Sequence, residues 1–279
     1  MPNFGYHLAR LKGHTLRRVY RAFLPLIVRR PVSPPRSFPP AVYSYSGEDS
    51  LPEQIASIRS FLRYVGRPKS FTVVSDGSYS DRSVRLLQRV DPTVSVRLSI
   101  PPPADYLPEK FRRYLTAHPT GKQLALIMSL PENGPSLYLD SDVLFFPGAV
   151  DLANHSAKQD APACYLADCQ FSGDARLLRD SSEESQPVNT GVLLLFQKLD
   201  WSSAINRFLE LDGEPNFFTN QTITHLAMHA NKARPFDCSK YVLQLDDQFV
   251  YPDRYAGRAL VLRHYVNPVR HKFWANLFT

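Results

Sequence analysis

The stretch Ser136-Leu-Tyr-Leu-Asp-Ser-Asp-Val-Leu-Phe-Phe146 limits what this chain can fold into more than any other. Two aspartates, Asp140 and Asp142, stand between apolar runs that belong inside a protein. Residues i and i+2 of an extended segment point the same way. Two such carboxylates, about 4–6 Å apart, repel by several kcal/mol at an effective dielectric near 20. One must be protonated, or a cation must sit between them. Hard oxygen ligands favour Mg²⁺ or Mn²⁺, which keep waters and bind substrate phosphates. The bare D-x-D spacing carries nothing by itself. With 18 aspartates in 279 residues, about one such pair arises by chance. The apolar context favours a metal site over a solvated turn.

Around this stretch, strand-like and helix-like segments alternate. Strands are expected at Ala41–Ser46, Phe71–Ser75, Val94–Leu98, Leu137–Leu139, Ala163–Ala167, Val192–Phe196, Tyr241–Leu245 and Leu260–Tyr265. Leu51, Ile55, Ile58, Phe61, Leu62 and Val65 recur at helical spacing behind a possible capping box, Ser50-Leu-Pro-Glu53. Further helices are expected at Ser83–Val90, Lys110–Leu115, Lys122–Leu130, Trp201–Leu211 and Thr219–Ala230. The alternation predicts an α/β domain with a mainly parallel sheet flanked by helices. Ligands in such sheets bind at the carboxyl ends of strands. That directs attention to Ser46, Asp76, Asp140, Asp142, Asp168, Asp246, Asp247 and His264.

At this point the chain resembles the GT-A-fold (Rossmann-like) glycosyltransferases, and among them family 8, the galactosyltransferase/glycogenin-like group. The resemblance spans about residues 41–275 and rests on five segments in order: the opening unit Ser44–Val65; LYLDSDVLFF behind a Lys-bearing helix; Pro187-Val-Asn-Thr-Gly191 leading into a strand; Asn220-Gln221; and Arg263-His-Tyr-Val266 with Lys272 and Trp274 beyond it.

The resemblance implies a metal-dependent transfer of a sugar from a nucleotide-diphosphate sugar, with UDP as the candidate nucleotide and retention as the expected stereochemistry. Asp140, Asp142 and His264 would hold Mn²⁺ or Mg²⁺. Lys122 would sit against the donor and Lys272 against its diphosphate. Tyr45, Ser46 and Asp76 would lie near the nucleoside, and Asn189 and Gly191 beside the donor sugar and acceptor. Asn220 and Gln221 would face the reacting carbon, Gln221 stabilising its developing positive charge. An inverting reaction would need a carboxylate base, for which Asp168 is the candidate. The family pattern has a glycine two residues and a lysine five residues after the histidine. Here those positions hold Val266 and Val269, and Lys272 is eight residues on.

Each residue also has a plainer reading. Lys122 could be a helix-surface lysine, Asn220 a first-turn polar residue, His264 an ordinary strand-end histidine, and Asp246-Asp247 a strand-end turn. The long polar stretch Asp168–Pro187 could be a lid or an acceptor-binding loop.

Charge divides the chain in two. Residues 1–40 carry eight Lys or Arg and no Asp or Glu, while the other 239 carry 25 basic against 26 acidic residues. The body is nearly neutral, so no nucleic-acid partner is implied. Residues 1–40 are expected to be a basic tail whose Pro-rich end, 31–40, links to a domain at 41–279. Such a tail could contact an anionic membrane surface peripherally or remain a flexible extension. No apolar stretch reaches membrane-spanning length. Three cysteines without a C-x-x-C pair point to a reducing, cytoplasmic compartment, where a membrane contact of the tail would be at the inner face.

Two other functions fit parts of the pattern. A phosphohydrolase of the haloacid dehalogenase type also uses D-x-D at a strand end, and Asp246-Asp247 could supply its later acidic pair. A glycosyltransferase-like domain used only for binding is the other.

Overall fold

The computed structural model describes residues 3–158, 160–250 and 253–277. The apolar runs become strands buried on both faces, as a helix-flanked sheet requires. In chain order the elements are α1 (Phe4–Ile27), β1 (Ser37–Phe38), β2 (Ala41–Ser46), α2 (Leu51–Tyr64), β3 (Arg67–Pro68), β4 (Phe71–Ser75), α3 (Asp81–Gln88), β5 (Val94–Arg97), α4 (Glu109–Ala117), α5 (Pro119–Ser129), β6 (Ser136–Leu139), β7 (Val143–Phe145), α6 (Val150–Lys158), β8 (Ala163–Ala167), β9 (Val188–Leu195), α7 (Ser202–Leu209), α8 (Thr219–Ala230), β10 (Arg234–Pro235), β11 (Tyr241–Val242) and β12 (Leu262–His264).

The main sheet has seven strands in the order β10-β8-β9-β6-β2-β4-β5. Four of its six pairings are parallel, and β9 is antiparallel to both neighbours. Alternation along β2 and β4 splits the core between the two faces. Val42 and Val73 join one apolar cluster, and Tyr43 and Val74 join the other. Because β9 runs against β6 and β8, its start lies beside their carboxyl ends. Asp140 N–H accordingly donates to Gly191 O at 2.8 Å.

A second sheet, β11-β12-β7, completes the site wall. β7 begins one residue after Asp142 and pairs antiparallel with β12, opposing Val143 to His264. This register brings Asp142 and His264 together across 122 positions of sequence.

Three expectations are corrected. Residues 4–27 are not a flexible extension. Residues 4–27 form one helix, and Phe38 lies in the core. Arg17 donates from Nη2 to Glu53 Oε2 at 3.0 Å, Tyr20 packs on Trp274 with centroids 5.1 Å apart, and a Cβ on Gly13 would lie 2.3 Å from His271 O. This helix therefore docks closely on α2 and the C-terminal 3₁₀ helix Arg270–Ala275. The capping box does not form: Ser50 makes no side-chain cap bond, and Glu53 pairs with Arg17 instead. The strands expected over 241–245 and 260–265 shorten to two and three residues.

Candidate active site

Asp140 follows β6, Asp168 follows β8, Asn189 opens β9, and His264 ends β12. Together with Asn220 and Gln221 at the start of α8, they line one cavity of about 720 Å³. His264 Nε2 lies 3.0 Å from Asp142 Oδ1 and 3.6 Å from Asp140 Oδ2. One ligand atom from each of the three residues falls within a 4.8 Å span.

The histidine's other nitrogen decides how it presents this face. Asn189 Oδ1 accepts from the Gly191 N–H at 2.9 Å, and its Nδ2 donates to Asp168 at 3.1 Å. That assigns Oδ1 as the atom facing His264 Nδ1 at 3.0 Å, so Nδ1 is the protonated nitrogen. Nε2 is then turned to the two carboxylates, with its lone pair available to a metal. Gly191 is required here by packing. A Cβ would lie 2.2 Å from His264 Cε1 and 2.9 Å from Asn189 Oδ1.

The two aspartates differ in their partners. Asp140 Oδ1 accepts from Tyr138 OH at 2.9 Å and from Gln123 Nε2 at 3.0 Å. Burial raises its pKa, outweighing the attraction of His264. Burial would also raise that of Asp142, but His264 and Arg270 reverse the balance and hold it well below the usual carboxylate range. Arg270 donates to Asp142 Oδ2 from Nε at 3.2 Å and from Nη2. Burial would lower the His264 pKa, but the Asp142 charge and hydrogen bond raise it. The Asp142 carboxylate thus favours the protonated form of the imidazole beside it.

Around this centre the amides form a chain. Gln123 Oε1 accepts from Asn220 Nδ2 at 2.9 Å. Gln221 Nε2 donates to Ser172 O at 2.8 Å and to Asp168 Oδ2 at 3.3 Å. Its carbonyl oxygen is what Gln221 has left to offer the cavity. The 168–187 stretch is a cavity wall: Gln170 to Gly173 line it, and buried Asp174 anchors it to α8 by accepting from Thr219 Oγ1 at 2.8 Å.

Tyr45, Asp140, Asp142, Asn189, Asn220, Gln221 and His264 all line this cavity. Gly191 backs it beneath His264. Burial and the nearby Asp76 charge push the Tyr45 hydroxyl up to about 12. Four expected residues do not line it. Ser46 is buried and its Oγ bonds Gln54 at 2.7 Å. Asp76 accepts from Ser78 N–H at 2.8 Å in a local turn. Lys122 lies on α5 away from the lining, and its neighbour Gln123 faces the site instead. Lys272 is buried and bonds Asp247 Oδ2 at 2.7 Å. Asp247 is sealed with Arg263, so the pair Asp246-Asp247 offers a phosphohydrolase no second acidic site.

Sequence reasoning missed Gln123, Tyr138, Arg270 and the aromatic wall of Phe171, Phe217 and Phe218. Arg270 was within reach. It lies one residue past Val269, where the resembled family has its lysine, and it is the cation the cavity contains.

No protein-family model matches the sequence, and no curated protein sequence matches it. The fold is shared with solved glycosyltransferases. Mouse xyloside xylosyltransferase 1 in its apo form superposes with a TM-score of 0.57 at 13% identity, over 84% of this chain and 99% of that one. The galactosyltransferase LgtC, solved with donor and acceptor sugar analogues, gives 0.53 at 12% identity, over 87% and 95%. GlyE of Streptococcus pneumoniae gives 0.50 at 15% identity, over 86% and 60%. At these identities the likeness is one of GT-A fold, and function rests on the residues of the site.

Proposed function

We propose that this protein is a metal-dependent glycosyltransferase that moves a sugar from a nucleotide-diphosphate sugar, a UDP-sugar by preference, to an acceptor hydroxyl. One observation carries the reading: two carboxylates and an oriented imidazole converge at the strand ends of a GT-A fold, on a cavity large enough for such a donor. The donor set fits a divalent cation. Two carboxylates suit Mg²⁺ or Mn²⁺, and the imidazole nitrogen inclines the choice to Mn²⁺. Asp140, Asp142 and His264 would hold it, and when bound it supplies positive charge to the diphosphate leaving group.

The rest of the chemistry falls to the chain's own groups. Arg270 exchanges part of its pairing with Asp142 for the diphosphate, since a guanidinium fork matches phosphate oxygens. Tyr45 flanks the nucleoside. The sugar–phosphate C–O bond breaks, and the acceptor oxygen bonds the same carbon from the same face, giving retention. The acceptor proton passes to the departing phosphate oxygen. Gln221 is the catalytic residue, placing its carbonyl oxygen against the positive charge that develops on the sugar. Asn220 and Gln123 are positioning residues that tie α8 to Asp140. Asp168 holds the amides of Asn189 and Gln221, so it acts as a positioning residue and not as an inverting base.

Donor hydrolysis tests the reading without a known acceptor. A panel of nucleotide sugars with Mn²⁺ should show slow release of nucleotide from one of them, lost in Gln221→Ala and Asp142→Ala. The anomer first released, followed by NMR, should match that of the donor. No nucleotide release from any donor, with tight nucleotide binding, would favour a binding domain instead.

A further inference from the structure

Helix α1 presents an apolar stripe that its docked face leaves outside. Phe4, Leu8, Leu11, Val19, Phe23 and Leu26 are exposed, from 48% at Val19 to 79% at Phe4. At about 100° per residue, these six fall within about a third of the helix circumference. Ala9, Gly13, Tyr20 and Leu24 face the domain instead. Single exposed apolar residues are ordinary, whereas six on one side of a helix, parted only by Lys12 and Thr15, mark an interaction surface.

Charge decides what covers the stripe. Arg10, Arg18 and Arg21 are exposed on the adjoining strip of the helix, and residues 1–40 contain no acid. A second copy would bring these cations against their own kind. An anionic lipid surface meets both features at once, apolar boundary and negative charge. No described helix is long and apolar enough to cross a membrane.

We propose that α1 is a docking surface for an anionic membrane, lying in its plane with the Phe4–Leu26 stripe at the acyl boundary and Arg18 and Arg21 among the headgroups. It is a platform and not a flexible tether, because Arg17–Glu53 and Tyr20–Trp274 fasten it to the domain. Tyr6, Arg10 and Arg17 line a second cavity of about 550 Å³ that shares Asn267 and Arg270 with the first. Docking through α1 thus fixes the orientation of both cavities relative to the membrane surface.

Co-sedimentation of the full chain with vesicles tests this, using phosphatidylcholine alone or mixed with phosphatidylglycerol. The protein should bind only the mixed vesicles and detach as salt rises. Leu8→Ser/Leu11→Ser/Phe23→Ser and Arg18→Glu/Arg21→Glu should each weaken partitioning by about tenfold or more. Unchanged thermal melting in both variants shows that they fold. Equal sedimentation of wild type and both variants would overturn the proposal. So would a stripe variant that loses only self-association, measured by light scattering, which would give the face to a second copy. The result is independent of the donor reading, since nucleotide binding in solution is measured without lipid.

Discussion

Arg263 and His264 are neighbours on β12, and strand alternation sends their side chains to opposite faces. Each meets two aspartates. On one face Arg263 bonds Asp247 at 2.8 and 3.1 Å and pairs with Asp253, while Lys272 bonds Asp247 as well. Tyr255 and Tyr265 each place a ring centroid 5.0 Å from the guanidinium carbon. Two positive and two negative groups cancel in a space closed to solvent. On the other face, His264 meets Asp140 and Asp142 on an open cavity, with Arg270 at its rim. The two clusters contain similar groups. What separates a site from a structural ion network is an opening and a shared focus for the ligand atoms.

The sharpest way to break this comparison is to cut each cluster once. Arg263→Met leaves Asp253 buried without its cation and Asp247 with Lys272 alone, and should cost about 3–5 kcal/mol in denaturant unfolding. Asp142→Asn should cost less stability than that and abolish Mn²⁺-dependent nucleotide binding. Equal destabilisation with binding retained would make both clusters structural.

Next in size are changes that touch only the orientation of His264. Gly191→Ala drives a methyl into the imidazole, and Asn189→Ala removes the acceptor for Nδ1–H. Each should weaken Mn²⁺ binding by about 10–100-fold in a metal titration.

A smaller contrast separates the two C-terminal cations. Arg270→Ala should weaken UDP binding by about tenfold, the loss of a charge-assisted hydrogen bond. Lys272→Met should lower the melting temperature and leave UDP affinity of the folded protein unchanged.

The smallest effect is one of pH. His264 has a raised pKa in the folded protein. Its ion pair therefore stabilises fully below the unfolded value, about 6.5, and that contribution fades as pH rises through the folded value. Metal binding has the opposite sign, because it must displace that proton. Mn²⁺ affinity should climb by up to about tenfold per pH unit below the His264 pKa and then level off. In His264→Asn, calorimetry should find this slope gone.

Much of the site was legible because it lies at strand ends, where an apolar run closes on polar residues. Asp140, Asp142 and His264 carry that signature, whereas Asn189, Asn220 and Gln221, at the start of β9 and of α8, were legible only through the family resemblance; the structure brings all six to one cavity. Lys122 does not line the cavity and its neighbour Gln123 does, since a single step on α5 turns a side chain by about 100°. The family resemblance set Lys272 against the diphosphate, yet its side chain bonds Asp247 on the β12 face opposite His264. Helix α1 was illegible for another reason. Its docked face consists of Ala9, Gly13, Tyr20 and Leu24, small or amphipathic residues that look no more buried than Leu8 or Phe23. Only the close approach to His271 reveals which side is inside.

The central claim is that Asp140, Asp142 and His264 form a metal-assisted nucleotide site. Calorimetric titration of UDP, with and without Mn²⁺, into wild type and Asp142→Ala tests it most directly. The account predicts tight binding that requires Mn²⁺ and disappears in the variant. Binding that is equal with and without Mn²⁺, or equal in both proteins, would contradict it.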